Sequence, residues 1–251
     1  MTRLEARLQE PGLRVLSLDV FDTVLLRSSA PELVRLGAIA QAQARALGRP
    51  DLVQALYRAR LRGQKALYDQ VRGDGVGEVR HQAIIAAMVS ACGLDDAAGM
   101  VLAAAEIAWE RQALRPNHAL LDVIARFIED GVAVVLVSDM YLPQADVAGL
   151  VAHHAPLLAG CPLYVSAEWA ASKRRGDLYA CVAAQLAVDP VSILHVGDNP
   201  HADGRMAEAA GWRSVVLPRP WWWRWLNRRR DRWVRARLAR LGWLVASFTS
   251  K

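Results

Sequence analysis

The sequence predicts an α/β protein: a doubly wound, Rossmann-like, five-stranded parallel sheet with an inserted α-helical lobe and a basic C-terminal helix. Three observations lead there. Short apolar runs end repeatedly on polar or acidic residues, as buried parallel strands do where they enter a working loop. Segments with helical spacing separate those runs, so strands and helices alternate. From about residue 30 to residue 114 the helical pattern continues without a strand signal, which places a lobe of helices inside the α/β chain.

The stretch Arg14 to Leu26, R-V-L-S-L-D-V-F-D-T-V-L-L, organises the rest. Val15, Leu16 and Leu18 form the first strand, and the run breaks at Asp19. In open α/β sheets the ligand crevice lies outside the carboxyl ends of the strands, which puts Asp19 where chemistry is done. Taken alone, Asp19 and Asp22 read equally well as turn residues.

In the lobe, Pro31 opens a helix that stops at Leu47-Gly48, and Pro50-Asp51 starts a second through Leu56, Leu61 and Leu67. After a break at Gly73 to Gly77, Ile84, Ile85, Met88 and Val89 carry a third helix to Gly93. Asp95-Asp96 begin a fourth through Leu102, Ile107 and Trp109. Asn117 then caps a helix that keeps its spacing through Ile128 and stops at Gly131. Val132 to Val137 is a strand ending at Ser138-Asp139. A helix from Gln144 to His154 leads to the strand around Leu163, and a loop with Lys173, Arg174 and Arg175 leads to a helix from Asp177 to Leu186. The strand Ser192 to Val196 ends at Gly197-Asp198, and a helix from Asp203 to Ala210 precedes the last strand, Ser214 to Leu217. The expected organisation is an α/β core from residues 1–29 and 115–217, a helical lobe over 30–114, and a tail over 218–251.

The 251 residues, 53% apolar and 22% charged, suit a globular chain with a sizeable core. Cys92, Cys161 and Cys181 are odd in number and lack a C-x-x-C spacing, which excludes a disulfide framework or a cysteine zinc site and suits a reducing cytoplasm. The N-terminus has charges throughout and no apolar h-region, so no secretory signal is expected. No run reaches the ~18 apolar residues of a membrane span. The protein is thus expected to be cytoplasmic, soluble or peripheral at the inner membrane face. The net charge of +6 is unevenly spread: from Pro218 onward nine Arg and one Lys face one Asp, a net +9, leaving −3 for the rest.

Four strand ends present one set of groups in order: Asp19, Ser138, Lys173 from the following loop, and Asp198 with Asp203. Several carboxylates together suit a hard ion, above all Mg²⁺, which is usually held by one or two carboxylates, waters and substrate phosphate. A carboxylate can also act as a nucleophile, and a cation and a lysine can neutralise a transferring phosphoryl group. Singly, Ser138 reads as a helix cap, Lys173 as a solvated cation and the two Asp as turn and cap residues. Those readings leave their order at successive strand ends unexplained.

This set resembles the haloacid dehalogenase (HAD) superfamily of hydrolases. Asp19-Val-Phe-Asp-Thr23 resembles its first motif, the strand ending in Ser138 its second, Lys173 its third, and Gly197-Asp198-Asn-Pro-His-Ala-Asp203 its fourth. The lobe sits where that superfamily carries an α-helical cap. The resemblance implies Asp19 as nucleophile and metal ligand, and Asp198 as the acidic Mg²⁺ ligand, with Asp203 a ligand or its supporting partner. It also implies the backbone carbonyl of Phe21 as a further ligand. Ser138 and Lys173 would bind phosphate, with Lys173 steadying Asp19, and Thr23 and Asp139 would complete the substrate-binding set. The chain departs from the superfamily's phosphatases at Phe21, where they usually carry the Asp that acts as general acid and base. That absence implies slow turnover unless His201 or Asp139 substitutes, since such assistance typically contributes ~10²- to 10⁴-fold.

The implied function is a Mg²⁺-dependent phosphohydrolase for a small phosphorylated metabolite. The superfamily's dehalogenases carry an aromatic residue at the position of Phe21, but they have no reason to keep an acidic metal site. A non-catalytic binding module is the other alternative. Asp19-Val-Phe-Asp-Thr, Ser138-Asp-Met-Tyr and His195-Val-Gly-Asp-Asn resemble a bacterial subgroup of predicted hydrolases often seen with surface-polysaccharide genes, which suggests a sugar phosphate. In the tail, Val234, Leu238, Leu241, Val245 and Phe248 recur at helical spacing among arginines after a Trp-rich start. That composition suits an interfacial membrane helix and equally a helix docked on this domain or on a protein partner. Nucleic acid ranks below both, because no nucleic-acid fold accompanies it.

Overall fold

Strand β1 (Val15–Leu18) lies at the centre of the sheet because its residues are apolar or small on both faces. Leu16 and Leu18 are completely buried, each worth about 1.5–3 kcal/mol relative to exposure. The computed structural model describes residues 3–8, 10–74 and 78–243. A short helix α1 (Arg3–Leu8) precedes β1. The strands β2 (Leu25–Leu26), β3 (Arg115–Pro116), β4 (Ala133–Ser138), β5 (Leu163–Val165), β6 (Ile193–Gly197) and β7 (Arg213–Val216) follow. Among the described residues, five of them form one sheet in the order β5-β4-β1-β6-β7, and its pairings are parallel.

β1 is flanked on one side by β4 and on the other by β6, so the strand order reverses at β1 and the crevice of such sheets opens at its carboxyl end. Register matters there. Ser17 pairs with His195 and Leu18 with Val196, and the ladder extends one step as the Asp19 N–H donates to the Val196 carbonyl at 2.9 Å. Asp19, Ser138 and Asp198 therefore emerge at neighbouring strand ends.

The helices are α2 (Glu32–Ala46), α3 (Val53–Asp74), α4 (His81–Cys92), α5 (Asp96–Ala113), α6 (His118–Glu129), α7 (Gln144–His154), α8 (Ser166–Trp169), α9 (Asp177–Leu186), α10 (Met206–Ala209) and α11 (Trp221–Arg240). Asn117 caps α6 through its side-chain oxygen, and α7 and α9 have the expected bounds. Several features differ from expectation, among them the short helices α1 and α8. The segment expected as one helix from Asp203 begins earlier, as a π-helical turn over Pro200–Arg205, because the Asn199 side chain caps the His201 and Ala202 N–H groups. β2 and β3 form a two-residue antiparallel ribbon that no period could reveal. Asn117 ties it further, its N–H donating to the Val24 carbonyl and its side-chain amide to that of Thr23.

The described chain divides into two compact units. The first comprises residues up to Arg27, Glu78 and Leu114–Arg219; the second comprises Ser28 to residue 74, Val79–Ala113 and Pro220 to residue 243. In the first, α9 lays Leu178, Tyr179 and Val182 against Val135, Val137 and Ile193, and Tyr179 meets Trp212 edge-on at 4.8 Å. In the second, α2 to α5 bury Leu36, Ile39, Leu56, Leu61, Ile84, Met88 and Leu102. α3 and α4 pack closely at Gly63, where a Cβ would lie 2.9 Å from that of Ala87. The tail helix α11 belongs to this second unit and packs on α2. Of the break expected over Gly73 to Gly77, Gly73 instead falls inside α3, while residues 75–77 and tail residues Val245 and Phe248 lie outside the described residues.

Candidate active site

Asp19 leaves β1 with both carboxylate oxygens engaged. Oδ1 accepts from Lys173 Nζ at 2.5 Å and Oδ2 from the Thr23 hydroxyl at 2.8 Å. Thr23 stands four residues on because the chain turns back at once: the Val24 and Leu25 N–H groups both donate to the Val20 carbonyl. The threonine thus orients the carboxylate.

Lys173 reaches the strand ends from the loop after α8 and is almost fully buried. Its ammonium also donates to Asp203 Oδ1 at 2.7 Å. Asp139, expected among the substrate-binding residues, holds this loop: its two oxygens accept from the Lys173 N–H at 2.7 Å and the Arg174 N–H at 3.2 Å. Two backbone donors occupy the carboxylate, so Asp139 positions Lys173. Ser138 is buried beside it at the end of β4.

Asp203 returns to the site through the π-helical turn. Its Oδ2 accepts from the Asn199 N–H at 2.9 Å and its Oδ1 also contacts His195 Nε2 at 3.1 Å. Gly197 makes this approach feasible, since a Cβ there would sit 2.2 Å from the Asp203 carboxyl carbon. His195 is fully buried, with Ser17 Oγ 2.8 Å from its Nδ1. A carboxylate only accepts, so Nε2 carries the proton, and burial holds the ring below its ordinary value against the Asp203 hydrogen bond. Neutral His195 then accepts from the Ser17 hydroxyl at Nδ1. Ser17 and His195 both sit inside apolar strands, so no motif spacing links them and only the strand register joins them.

Asp198 is half-buried at the end of β6, and ligand oxygens of Asp19, Asp198 and Asp203 lie within 4.8 Å of one another. Lys173 bonds two of the three, Asp19 and Asp203. Burial pushes the Asp19 carboxyl up to about 7, opposed by Lys173 and aided by Asp203 and Asp198. Burial, Asp22 and Asp203 push Asp198 up to about 6. Burial also works against the charge on Asp203, but Lys173 and His195 outweigh it and hold that carboxyl below the usual range. Lys173 stays charged, well above its ordinary value, because Asp19 and Asp203 outweigh its burial. A cluster of hard oxygen donors with more negative charge than its lysine balances fits a divalent cation such as Mg²⁺.

Phe21 is buried, with the Arg27 guanidinium 4.2 Å above its ring. Asp22 adopts a left-handed backbone at φ 68°. Its carboxylate accepts from the Arg27 N–H and forms an ion pair with Arg219, a partner that no sequence spacing announces. His201 Nδ1 is buried without a hydrogen-bond partner among the described residues.

Residues 171–219, which carry Lys173, Asp198 and Asp203, match the family described as "HAD-hyrolase-like". The chain is similar in structure to a 2-haloacid dehalogenase from Pseudomonas syringae pv. Tomato DC3000, with a TM-score of 0.54 and 18% identity over 82% of this chain and 86% of that one. It is also similar to a putative beta-phosphoglucomutase from Thermotoga maritima, with a TM-score of 0.52 and 12% identity over 83% and 87% of the two chains. The chain has the haloacid dehalogenase fold. An L-2-haloacid dehalogenase from Xanthobacter autotrophicus shares this HAD fold at 15% identity and a TM-score of 0.51, covering 82% of this chain and 77% of its own. Identities this low carry the fold and nothing finer. No curated protein matches the chain in sequence. HAD proteins are generally hydrolytic, and the neighbours include dehalogenases as well as the phosphoglucomutase, so the choice of reaction falls to this chain's own residues.

Proposed function

We propose that this protein is a Mg²⁺-dependent phosphohydrolase that acts on a small phosphorylated metabolite through an aspartyl-phosphate on Asp19, a sugar phosphate being suggested by the subgroup resemblance alone. The observation that carries the reading is the carboxylate trio within 4.8 Å. A dehalogenase attacks carbon with one carboxylate and gains nothing from two more acids crowded beside it.

Asp19, Asp198 and the Phe21 backbone carbonyl would hold the ion. Asp203, whose two oxygens already accept from Lys173, His195 and Asn199, supports them from behind. When bound, the ion would offset negative charge on the phosphate and on the carboxylates. Asp19 attacks phosphorus, held in line by Thr23 and Lys173. Lys173 neutralises charge on the transferring group, and the Ser138 hydroxyl binds one of its oxygens. Water then cleaves the aspartyl-phosphate and frees Asp19. The helical unit, inserted between β2 and β3, takes the part of the superfamily's cap and selects the substrate. The protein works in the cytoplasm.

Proton transfer to the leaving group is the weak step. Phe21 has no proton to give, and Asp22 and Asp139 are committed to Arg219 and to backbone N–H groups. Turnover is therefore slow and favours substrates whose leaving group departs without help. Phosphate release from a panel of phosphomonoesters with and without Mg²⁺, beside halide release from 2-haloacids, tests the reading. Metal-dependent phosphate release is the expected result; halide release, or no turnover by folded protein, overturns it.

A further inference from the structure

Helix α11 has two unlike faces. Trp223, Leu226, Asn227, Val234 and Leu238 recur at helical spacing and are at least half-buried, with Leu238 the deepest. This face packs within the helical unit: the Asn227 side chain donates to the Ser29 carbonyl at 3.2 Å, and Trp243, beyond the helix end, meets the Tyr57 ring at 6.3 Å. The apolar stripe read from the sequence thus divides, with Val234 and Leu238 turned inward.

The opposite face carries what docking leaves out. Trp221, Trp222, Trp225 and Trp233 fall on it at helical spacing with 73%, 51%, 49% and 62% of their surfaces exposed. Tryptophan is rarely left open in such number without a partner. Arginines are interleaved with these rings, the Arg229 guanidinium 4.6 Å from the Trp225 centroid and that of Arg237 5.4 Å from Trp233. Over the whole helix eight Arg face a single Asp, and that Asp231 is paired with Arg235.

We propose that this outer face is a docking surface for an anionic lipid bilayer. The headgroup layer accepts indole rings and guanidinium groups at one depth, and surface charge opposite to that of the helix draws it in. A protein partner would have to match this like charge with a row of carboxylates, whereas an anionic headgroup layer supplies it at every point. The helix lies along the surface: no described helix is long and apolar enough to cross a membrane. This inference does not depend on the reaction proposed above.

The test is co-sedimentation of the full chain with phosphatidylcholine vesicles, alone or with about one-third phosphatidylglycerol. Three proteins are compared: the parent, a Trp222→Ala/Trp225→Ala/Trp233→Ala variant and an Arg229→Glu/Arg232→Glu variant. These residues avoid the docked face, and unchanged circular dichroism and thermal transition certify folding. The expected result is binding at least roughly tenfold tighter to the anionic vesicles, a blue-shifted tryptophan emission on binding, and roughly tenfold weaker binding by either variant. Binding indifferent to lipid charge, or undiminished in both variants, overturns the proposal. So does the absence of vesicle binding, whether the Trp face then proves to mediate self-association or retention on single-stranded RNA.

Discussion

Two buried ionic clusters, one in each unit, are built from the same kinds of side chain and solve opposite problems. In the helical unit, Arg60 makes a bidentate pair with Glu106 at 2.6 and 2.9 Å, its Nε donates to Gln64 at 2.9 Å, and His81 Nε2 meets Glu106 at 3.0 Å. Burial opposes the charge on Glu106, but Arg60 and His81 outweigh it and hold the carboxyl below the usual range. At the strand ends three carboxylates crowd together, one buried lysine bonds two of them, and Asp19 and Asp198 are pushed up to about 7 and 6. In the first cluster the carboxylate meets a bidentate guanidinium and an imidazole. The second is left short of positive charge, which draws a cation; phosphate, itself an anion, would follow only with that cation in place. Burial and charge alone therefore do not mark a functional site; the imbalance does.

That contrast predicts different responses to removing one charge. Asp19→Asn keeps the shape of the site and should lower phosphate release by at least about 10³-fold, as loss of a nucleophile does. A residual rate above a tenth of the parent would show that Asp19 is not the attacking group. In the helical cluster, Glu106→Gln removes the carboxylate that the buried Arg60 guanidinium meets and should cost roughly 3–5 kcal/mol in urea unfolding. A loss under about 1 kcal/mol would mean that the cluster is not the buried pair described here. The same carboxyl fixes a pH response. Held below its ordinary value of 4.5 in the folded state, Glu106 contributes stability above that pH and loses it as the pH falls further. The acid limb of a stability–pH curve should therefore flatten in Glu106→Gln.

Smaller effects sharpen the active-site half. Phe21→Asp restores a carboxyl at the position the superfamily's phosphatases use, and should raise kcat by about 10²-fold with little change in KM. An unchanged kcat would mean that another group, His201 first among them, already supplies the proton. Asp198→Asn removes one of the crowded anions; in chelator it should stabilise the fold by about 1 kcal/mol while abolishing Mg²⁺-dependent turnover. Destabilisation in chelator would contradict the excess of negative charge.

The sequence showed the sheet and the acidic set because each strand is a short apolar run that ends on the residue it delivers. Asp22, one residue beyond the position the superfamily uses, turns to an ion pair instead. Its partner Arg219 stayed hidden, 197 residues away in the chain. Ser17 and His195 look like strand fillers until parallel pairing sets them side by side. Arg60 and Glu106 look like surface charges on amphipathic helices, and only the packing of α3 against its neighbours buries them. Asp139 lay next to Ser138 in a motif, yet its oxygens serve the backbone of the loop that carries Lys173. In α11 the sequence displayed both the aliphatic stripe and the tryptophans, but which face turns inward is decided by α2 and Ser29.

The central claim is that the cluster short of positive charge transfers a phosphoryl group to Asp19. Its most direct test is to mix the protein with a small acyl phosphate and Mg²⁺, quench in acid, and map the modified peptide by mass spectrometry. One phosphoryl group is expected on the peptide carrying Asp19, absent when Mg²⁺ is withheld and in Asp19→Asn. Phosphate on another residue, or none on protein shown to be folded and loaded with Mg²⁺, would contradict it.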